Sequence, residues 1–217
     1  MKSRFILALS LTAALIMVTV VTAEDLKPGK LPEPQLTIGK PLMEVLKARK
    51  SSRDFKRENL PAQTMSNLLW AACGINRPEA GKRTAPTARN KQEIDVYVAT
   101  AKGVFLYDAK NHSLELILSE DVRAKCGTQE YVKDVPVNLV FVADYTRMTE
   151  RTEAENQALS WADTGFISQN VYLYCASEGL ATVVRALIDR DELAKVMKLR
   201  PEQKISLSQS VGLPQSK

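Results

Sequence analysis

The 217-residue chain is poor in the side chains that usually do metal or acid–base chemistry: one histidine, His112, and three cysteines, Cys73, Cys126 and Cys175, all widely spaced. Without a Cys-x-x-Cys pair or a Cys/His ligand set, a zinc site is not expected. No Ser-His-Asp arrangement is recognisable, so nucleophilic hydrolysis has no candidate. Internal repeats and low-complexity tracts are also missing. Charge of one sign is not in great excess, with 30 Lys+Arg against 25 Asp+Glu. The basic residues are spread along the chain rather than clustered on one element, which argues against a nucleic-acid partner. Three cysteines leave room for one disulfide in an oxidising compartment without choosing its pair. Cys175 lies in an apolar helical stretch and reads as core.

One long uncharged apolar run is present, and it opens the chain. Lys2 and Arg4 precede Phe5 to Val21, and Val21-Thr22-Ala23 supplies the small residues a signal peptidase expects. Residues 1–23 therefore read as a cleaved signal peptide, which makes the mature protein exported, periplasmic or secreted. An uncleaved anchor is the rival reading, but the run is short of the roughly 20 residues a bilayer core requires. No Cys follows the cleavage site, so lipid anchoring has no support. Loss of Lys2 and Arg4 lowers the formal net charge from +5 to +3. The 194 residues that remain suit one domain, with no further membrane association expected.

Residues 24–40, with three Pro and two Gly up to Gly39, read as an extended arm, and 41–217 as the domain. A helix is expected from Pro41, with Leu42, Val45 and Leu46 as its apolar stripe. A second runs from Pro61 to Ala72, burying Met65, Leu68, Leu69 and Ala72, with Gly74 as its C-cap. The polar stretch Asn76 to Gln92 is too long for a simple turn, and loops of such length usually serve function. Alternation at Ile94, Val96 and Val98 marks a strand. Val104 to Tyr107 pairs with Leu114 to Leu118 across a hairpin loop that puts His112 at an exposed tip. Val137 to Val142 reads as a strand covered on both faces. The longest helical pattern, Asn156 to Gly179, has its period at Leu159, Ala162, Phe166, Asn170, Leu173 and Ala176. Leu180 to Leu187, Asp191 to Met197 and Ile205 to Val211 follow as strand, helix and strand. Helices and antiparallel strands mix without βαβ alternation, so the fold class is α+β.

Two clusters carry chemistry. Arg49-Lys50-Ser51-Ser52-Arg53 places three cations and two hydroxyls at a helix end. These are the donors a phosphate requires, although cations at a helix C-terminus are also at ease as a solvated end. Arg83-Thr84-Ala85-Pro86-Thr87-Ala88-Arg89-Asn90-Lys91-Gln92-Glu93 sets amide and hydroxyl groups where a polar planar ligand would meet them; a long surface loop is the plainer alternative.

In this order the two clusters resemble the nitroreductase family of FMN proteins. The family opens on Arg-Arg/Lys-Ser-x-Arg/Lys-x-Phe, matched by Arg49 to Phe55, and continues with Pro-Ser-Ala/Ser-x-Asn-x-Gln-Pro, matched by Pro86 to Glu93. Its later Asp-x-Gly, Gln-Asn, Gly-Leu and Gly-x-Pro elements correspond to Asp163-Thr164-Gly165, Gln169-Asn170, Gly179-Leu180 and Gly212-Leu213-Pro214. Arg-Thr-Ala-Pro before the Asn-x-Gln is most similar to the SagB/ThcOx-like branch. The resemblance implies a nitroreductase-like fold, with a central mostly antiparallel sheet flanked by helices, in a homodimer that holds FMN at the subunit interface. It implies that Arg49, Lys50, Ser51 and Arg53 bind the FMN phosphate and ribityl chain. Pro86, Thr87, Ala88 and Asn90 would complete the partner's site, with Gln92 close by. Ala181, Thr182 and Val183 would offer backbone donors near the isoalloxazine, and Gln129 a ring or ribityl contact.

The activity so implied is an oxidoreductase moving hydride or electrons to or from a small organic substrate, with no catalytic side chain named because the cofactor carries the difficult step. Thr87 stands where the family has Ser and keeps the hydroxyl. Glu93 stands where it has Pro and adds a negative charge. The chain ends three residues past Pro214, leaving Lys217 as the substitute for the family's C-terminal phosphate contact. Export removes the protein from NAD(P)H, and the n-region lacks a twin Arg, so the chain meets FMN after translocation. Electrons then come from another exported donor or from the substrate itself. A non-catalytic flavin-binding protein on the same fold is the alternative, and an interaction module without cofactor a third.

Overall fold

Periods of 2 and 3.6 residues along the chain become, in the computed structural model, one seven-stranded sheet with helices on both faces; the structure describes residues 26–149 and 151–215. In chain order the elements are β1 (Gly29–Lys30), α1 (Leu42–Ala48), α2 (Ala62–Cys73), β2 (Ile75–Arg77), β3 (Lys82–Arg83), β4 (Ile94–Thr100), β5 (Gly103–Asp108), β6 (Ser113–Leu118), β7 (Val137–Asp144), α3 (Glu153–Glu178), β8 (Ala181–Arg185), α4 (Arg190–Val196) and β9 (Gln203–Gly212). The large sheet runs β1-β6-β5-β4-β7-β9-β8 with every pairing antiparallel, and β2 and β3 form a separate ribbon. The α+β expectation holds. The proposed signal peptide and Lys217 lie outside the described residues.

Strand β7 explains the layering. All eight of its residues are buried, with Leu139 and Phe141 on one face and Val140 and Val142 on the other. On the first face they meet Leu68, Leu69 and Ala72 of α2 and Ile167, Val171 and Cys175 of α3. On the second they meet Leu193 of α4, Met197 and the loop residues Cys126 and Val132. Two separate apolar cores thus sandwich the sheet, as a strand apolar on both sides requires.

The helix α2 buries the stripe its period predicts, and Gly74 is its C-cap. That glycine is extended, not left-handed, with φ −66° and ψ 163°. Its lack of a side chain serves closeness instead, since a Cβ there would lie 2.5 Å from Trp70 Cδ1. The 26-residue α3 starts on a capping box between Thr152 and Glu155 and stops at Gly179, whose φ of +72° suits a residue without Cβ.

Helix α3 corrects the sequence reading in one respect. Its buried face is Asn156, Ser160, Asp163, Thr164, Ile167, Ser168, Val171, Tyr172 and Cys175, largely polar or small. Phe166 and Ala162, on the period expected from sequence, point away from the sheet, and Phe166 is 48 % exposed. Apolar side chains are exposed on α1 too, where Val45 alone is buried and Leu42 and Leu46 are 61 % and 44 % exposed. Periodicity alone does not say which side of a two-faced helix meets the sheet.

A second correction concerns His112. It sits in the β5–β6 turn, but half-buried, with Nε2 2.8 Å from Ser66 Oγ and Nδ1 2.9 Å from Tyr107 Oη. The N-terminal arm causes this by folding back over the turn: Leu31 N–H donates to the His112 carbonyl at 3.0 Å, and Gln35 N–H to Asn67 Oδ1 at 2.8 Å. Burial lowers the imidazole pKa, so the ring serves as a neutral staple between arm, α2 and hairpin.

Candidate functional site

The chain leaves α1 at Arg49 and crosses the C-terminal half of α3 before joining the C-terminal strand. Three contacts fix its path. Ser51 Oγ lies 2.8 Å from Tyr172 Oη, Ser52 N–H donates to the Thr182 carbonyl at 2.9 Å, and Lys56 N–H donates to the Leu213 carbonyl at 2.9 Å. Tyr172 is the hub. Its hydroxyl also accepts Val184 N–H at 3.0 Å, and the Arg49 guanidinium lies 5.3 Å from its ring centroid. Beside this segment opens a cleft of about 700 Å³ lined by Lys50, Ser51, Ser52 and Arg53 on one wall and Gly179 to Thr182 and Pro214 on another. Lys50, Ser51 and Arg53 are exposed where they line the cleft, with the Ser51 hydroxyl engaged by Tyr172. This volume is ample for a small-molecule ligand.

The expected residues Arg49, Lys50, Ser51, Arg53, Ala181 and Thr182 are therefore neighbours. Arg49 is a partial exception, because it covers Tyr172 and does not line the cleft. Ala181, Thr182 and Val183 are buried and paired with Gly212, Val211 and Ser210 of β9. On the free edge of β8, the Thr182 carbonyl and Val184 N–H are already held by Ser52 and Tyr172.

The second cluster is a strained loop. Arg89, Asn90 and Gln92 have φ of 55°, 55° and 49°, a left-handed conformation that costs about 1–3 kcal/mol per non-glycine residue and concentrates at functional sites. Surrounding bonds over-determine it. Gln92 N–H donates to Thr87 Oγ1 at 2.9 Å, Ala88 N–H to Asp163 Oδ2 at 3.0 Å, and Arg147 to the Gln92 carbonyl at 2.9 Å. The Gln92 amide donates to the Gly81 carbonyl and Asn90 Oδ1, at 2.8 and 3.1 Å. Pro86 and Asn90 are exposed, and Thr87 and Ala88 are half-buried. The loop is tied to α3 at Asp163 and the cleft at Tyr172, nine residues on and about 14 Å along the helix at 1.5 Å per residue. One chain does not bring the two clusters into one cleft.

Gln129 lies elsewhere. Its Oε1 is buried without a partner, close to the unpartnered Nε of Arg185: both lie around Gly127, 3.1 and 2.8 Å from where a Cβ would stand. Arg185 ends β8 and is fully enclosed, donating to Ser210 Oγ, Ser208 Oγ, Asn138 Oδ1 and the Cys126 carbonyl. Among the described residues no carboxylate partners it, and burial lowers its pKa. Tyr172, Asp163 and Arg185 were not singled out as site residues from sequence. Three signals were available: a charge closing an apolar strand at Arg185, a Tyr within an otherwise small, polar helix face, and the Asp-x-Gly match at Asp163. Cys73, Cys126 and Cys175 are all free and buried, so no disulfide joins them.

The family model described as "Nitroreductase family" matches residues 46–213, from inside α1 to the residue before Pro214. The chain belongs to the nitroreductase family. This family is generally one of flavin-dependent oxidoreductases. A crystal structure of a Ralstonia eutropha JMP134 protein described as a nitroreductase is 41% identical, covers 90% of this chain and 98% of its own, and superposes with a TM-score of 0.82. A protein of Methanocaldococcus jannaschii named as a nitroreductase is 28% identical over 169 residues, 73% of this chain and 85% of its own. A chain of the E. coli microcin synthetase complex shares the fold at 17% identity and TM-score 0.67, covering 95% of this chain and 85% of its own. The nitroreductase fold, mostly antiparallel sheet with four helices, is thus established on both sequence and shape.

Proposed function

We propose that this nitroreductase-family chain is an exported FMN-dependent oxidoreductase that moves electrons to or from a small organic substrate, working as a homodimer with one flavin at each subunit boundary. The observation that carries the reading is the cleft beside α1. Its exposed donors Lys50, Ser51 and Arg53 are the types a dianionic phosphate requires, and Tyr172 holds Ser51 in place. The donor set therefore fits FMN: Lys50, Ser51 and Arg53 would hold the phosphate end, with Arg49 supporting Tyr172 and adding charge. When bound, the flavin supplies the two-electron chemistry for which the chain has no side chain of its own.

The dimer follows from the split between the two clusters. Pro86, Thr87, Ala88, Asn90 and Gln92 lie on a rigid loop outside the cleft of their own chain, where they would serve a neighbour's site. The exposed apolar side chains Leu42, Met43 and Leu46 of α1 and Trp161 and Phe166 of α3 supply a surface a second copy would cover. Ala181 and Thr182 would bound the ring side, though β8 has little unpaired backbone left to offer there, and Val183 and Gln129 do not line the cleft. Export rests on the Lys2/Arg4 n-region, the apolar run to Val21 and the Val21-Thr22-Ala23 site. Outside the cytoplasm NAD(P)H is not expected, so the donor is another exported reductant or the substrate itself, as in SagB/ThcOx-like dehydrogenases.

Purified protein tests this directly. The expected preparation is yellow, bleaches with dithionite, and scatters light as a dimer. Colourless protein with no thermal shift on added FMN would remove the flavin reading, and a monomer that retains FMN would remove the shared site. A flavin-loaded protein inert toward nitroaromatic, quinone and azoline-peptide substrates would favour the non-catalytic flavin binder.

A further inference from the structure

Glu93 links the strained loop to β4. It is wholly buried, and neither carboxyl oxygen has a hydrogen-bond donor. Asp163 of α3, also buried, faces it, and the same Asp163 accepts the Ala88 N–H that pins the loop. Two ionised carboxylates have only acceptors to show each other and repel. A single proton makes one of them a donor and turns the contact into a hydrogen bond. We propose that Glu93 and Asp163 share one proton and act as positioning residues that hold the Thr87–Gln92 loop in its strained form.

The other charges nearby do not relieve the pair. Arg147, from the turn after β7, is a cation that acts on Glu93, but Arg147 forms a two-pronged pair with Asp95 at 2.8 Å for each bond and also reaches Asp144 at 3.7 Å. Arg200 in turn pairs with Asp144 at 2.6 Å. Ser160 and Thr164, flanking Asp163 on the buried face of α3, carry no charge. Burial above all, joined by the proximity of Asp163, pushes Glu93 up to about 7, against the pull of its own nearby backbone N–H and, less, of Arg147. Below neutral pH the pair is bonded and Asp163 keeps Ala88. Above it, two negative charges share a dry site, Asp163 is driven off Ala88, and a loop with three left-handed residues is free to relax.

Hydrogen exchange over residues 86–92 of the flavin-free protein, corrected for intrinsic rates, measures the latch itself. Protection is expected to fall as pH rises from the ordinary carboxylate range toward the raised Glu93 value of about 7, by at most about tenfold per pH unit, and to level off above it, as linkage to a single proton requires. Glu93→Gln, whose amide donates to Asp163 without a titrating proton, is expected to keep protection flat through this range. Asp163→Asn is expected to do likewise by donating to Glu93 and accepting from Ala88, and serves if the first variant does not fold. Flat protection in the unaltered protein, or an unchanged pH slope in a folded variant, would overturn the proposal. The latch rests on the flavin reading only for its consequence, a fall in FMN affinity over the same pH range. A pH-dependent loop in a protein that never binds FMN would refute that reading and keep the latch. A pH-independent loop in a yellow protein would do the reverse.

Discussion

Tyr172→Phe removes one oxygen and leaves everything else about the residue in place. The ring stays buried beneath Arg49, so packing and the cation–π contact survive. The lost Oη takes with it the acceptor of Val184 N–H and the partner of Ser51 Oγ. A backbone N–H left without a partner costs about 1–3 kcal/mol. Val184 is half-buried on the edge of the sheet, so water entry would put the cost toward the lower end. In a domain of this length each kcal/mol shifts Tm by about 2–4 °C. The expected loss is therefore about 2–12 °C by circular dichroism. Freed from Tyr172, Ser51 no longer presents a fixed donor to the cleft, and the Kd for FMN, read by fluorescence quenching, should rise up to about tenfold, equivalent to 1.4 kcal/mol. An unchanged Tm and Kd would show that the hub does not hold the segment. A lower Tm with unchanged Kd would show that it holds the fold but not the ligand donors.

Arg53→Ala should weaken FMN binding more than tenfold, and more at low than at high salt, because the cleft loses a charge-assisted donor; a titration at two ionic strengths checks this. Arg49→Ala should weaken binding and also lower Tm slightly through exposure of Tyr172, a combination not expected at Arg53. Phe166→Asp should break or weaken the dimer in light scattering while the isolated fold persists, since this side chain points away from the sheet; an intact dimer would move the interface elsewhere. The cysteines should resist iodoacetamide at pH 8 in the native protein and react only on unfolding. Burial pushes the thiols up, to about 11 at Cys73 and about 12 at Cys126, leaving almost no thiolate. Rapid native alkylation would contradict the buried placement.

What sequence alone determined is what short windows encode. The doubly apolar run Val137 to Val142 could only be a strand covered on both sides, and Met65, Leu68, Leu69 and Ala72 could only face a core. The cation cluster Arg49 to Arg53 and the polar loop to Gln92 stood out because their side-chain chemistry does not suit a core. Tertiary structure decided everything that depends on which surface meets which. It turned the Phe166 face of α3 outward and gave its sheet-facing side to Ser160, Asp163 and Tyr172, because the neighbouring elements require small and hydrogen-bonding groups there. Folding the arm over the hairpin buried His112, which no local pattern signals. Gln129 went to Arg185 and not to the cleft, and Glu93 was placed against Asp163 across 70 residues of chain. Periodicity and composition are local properties, whereas the partner of a buried polar group is chosen by long-range packing.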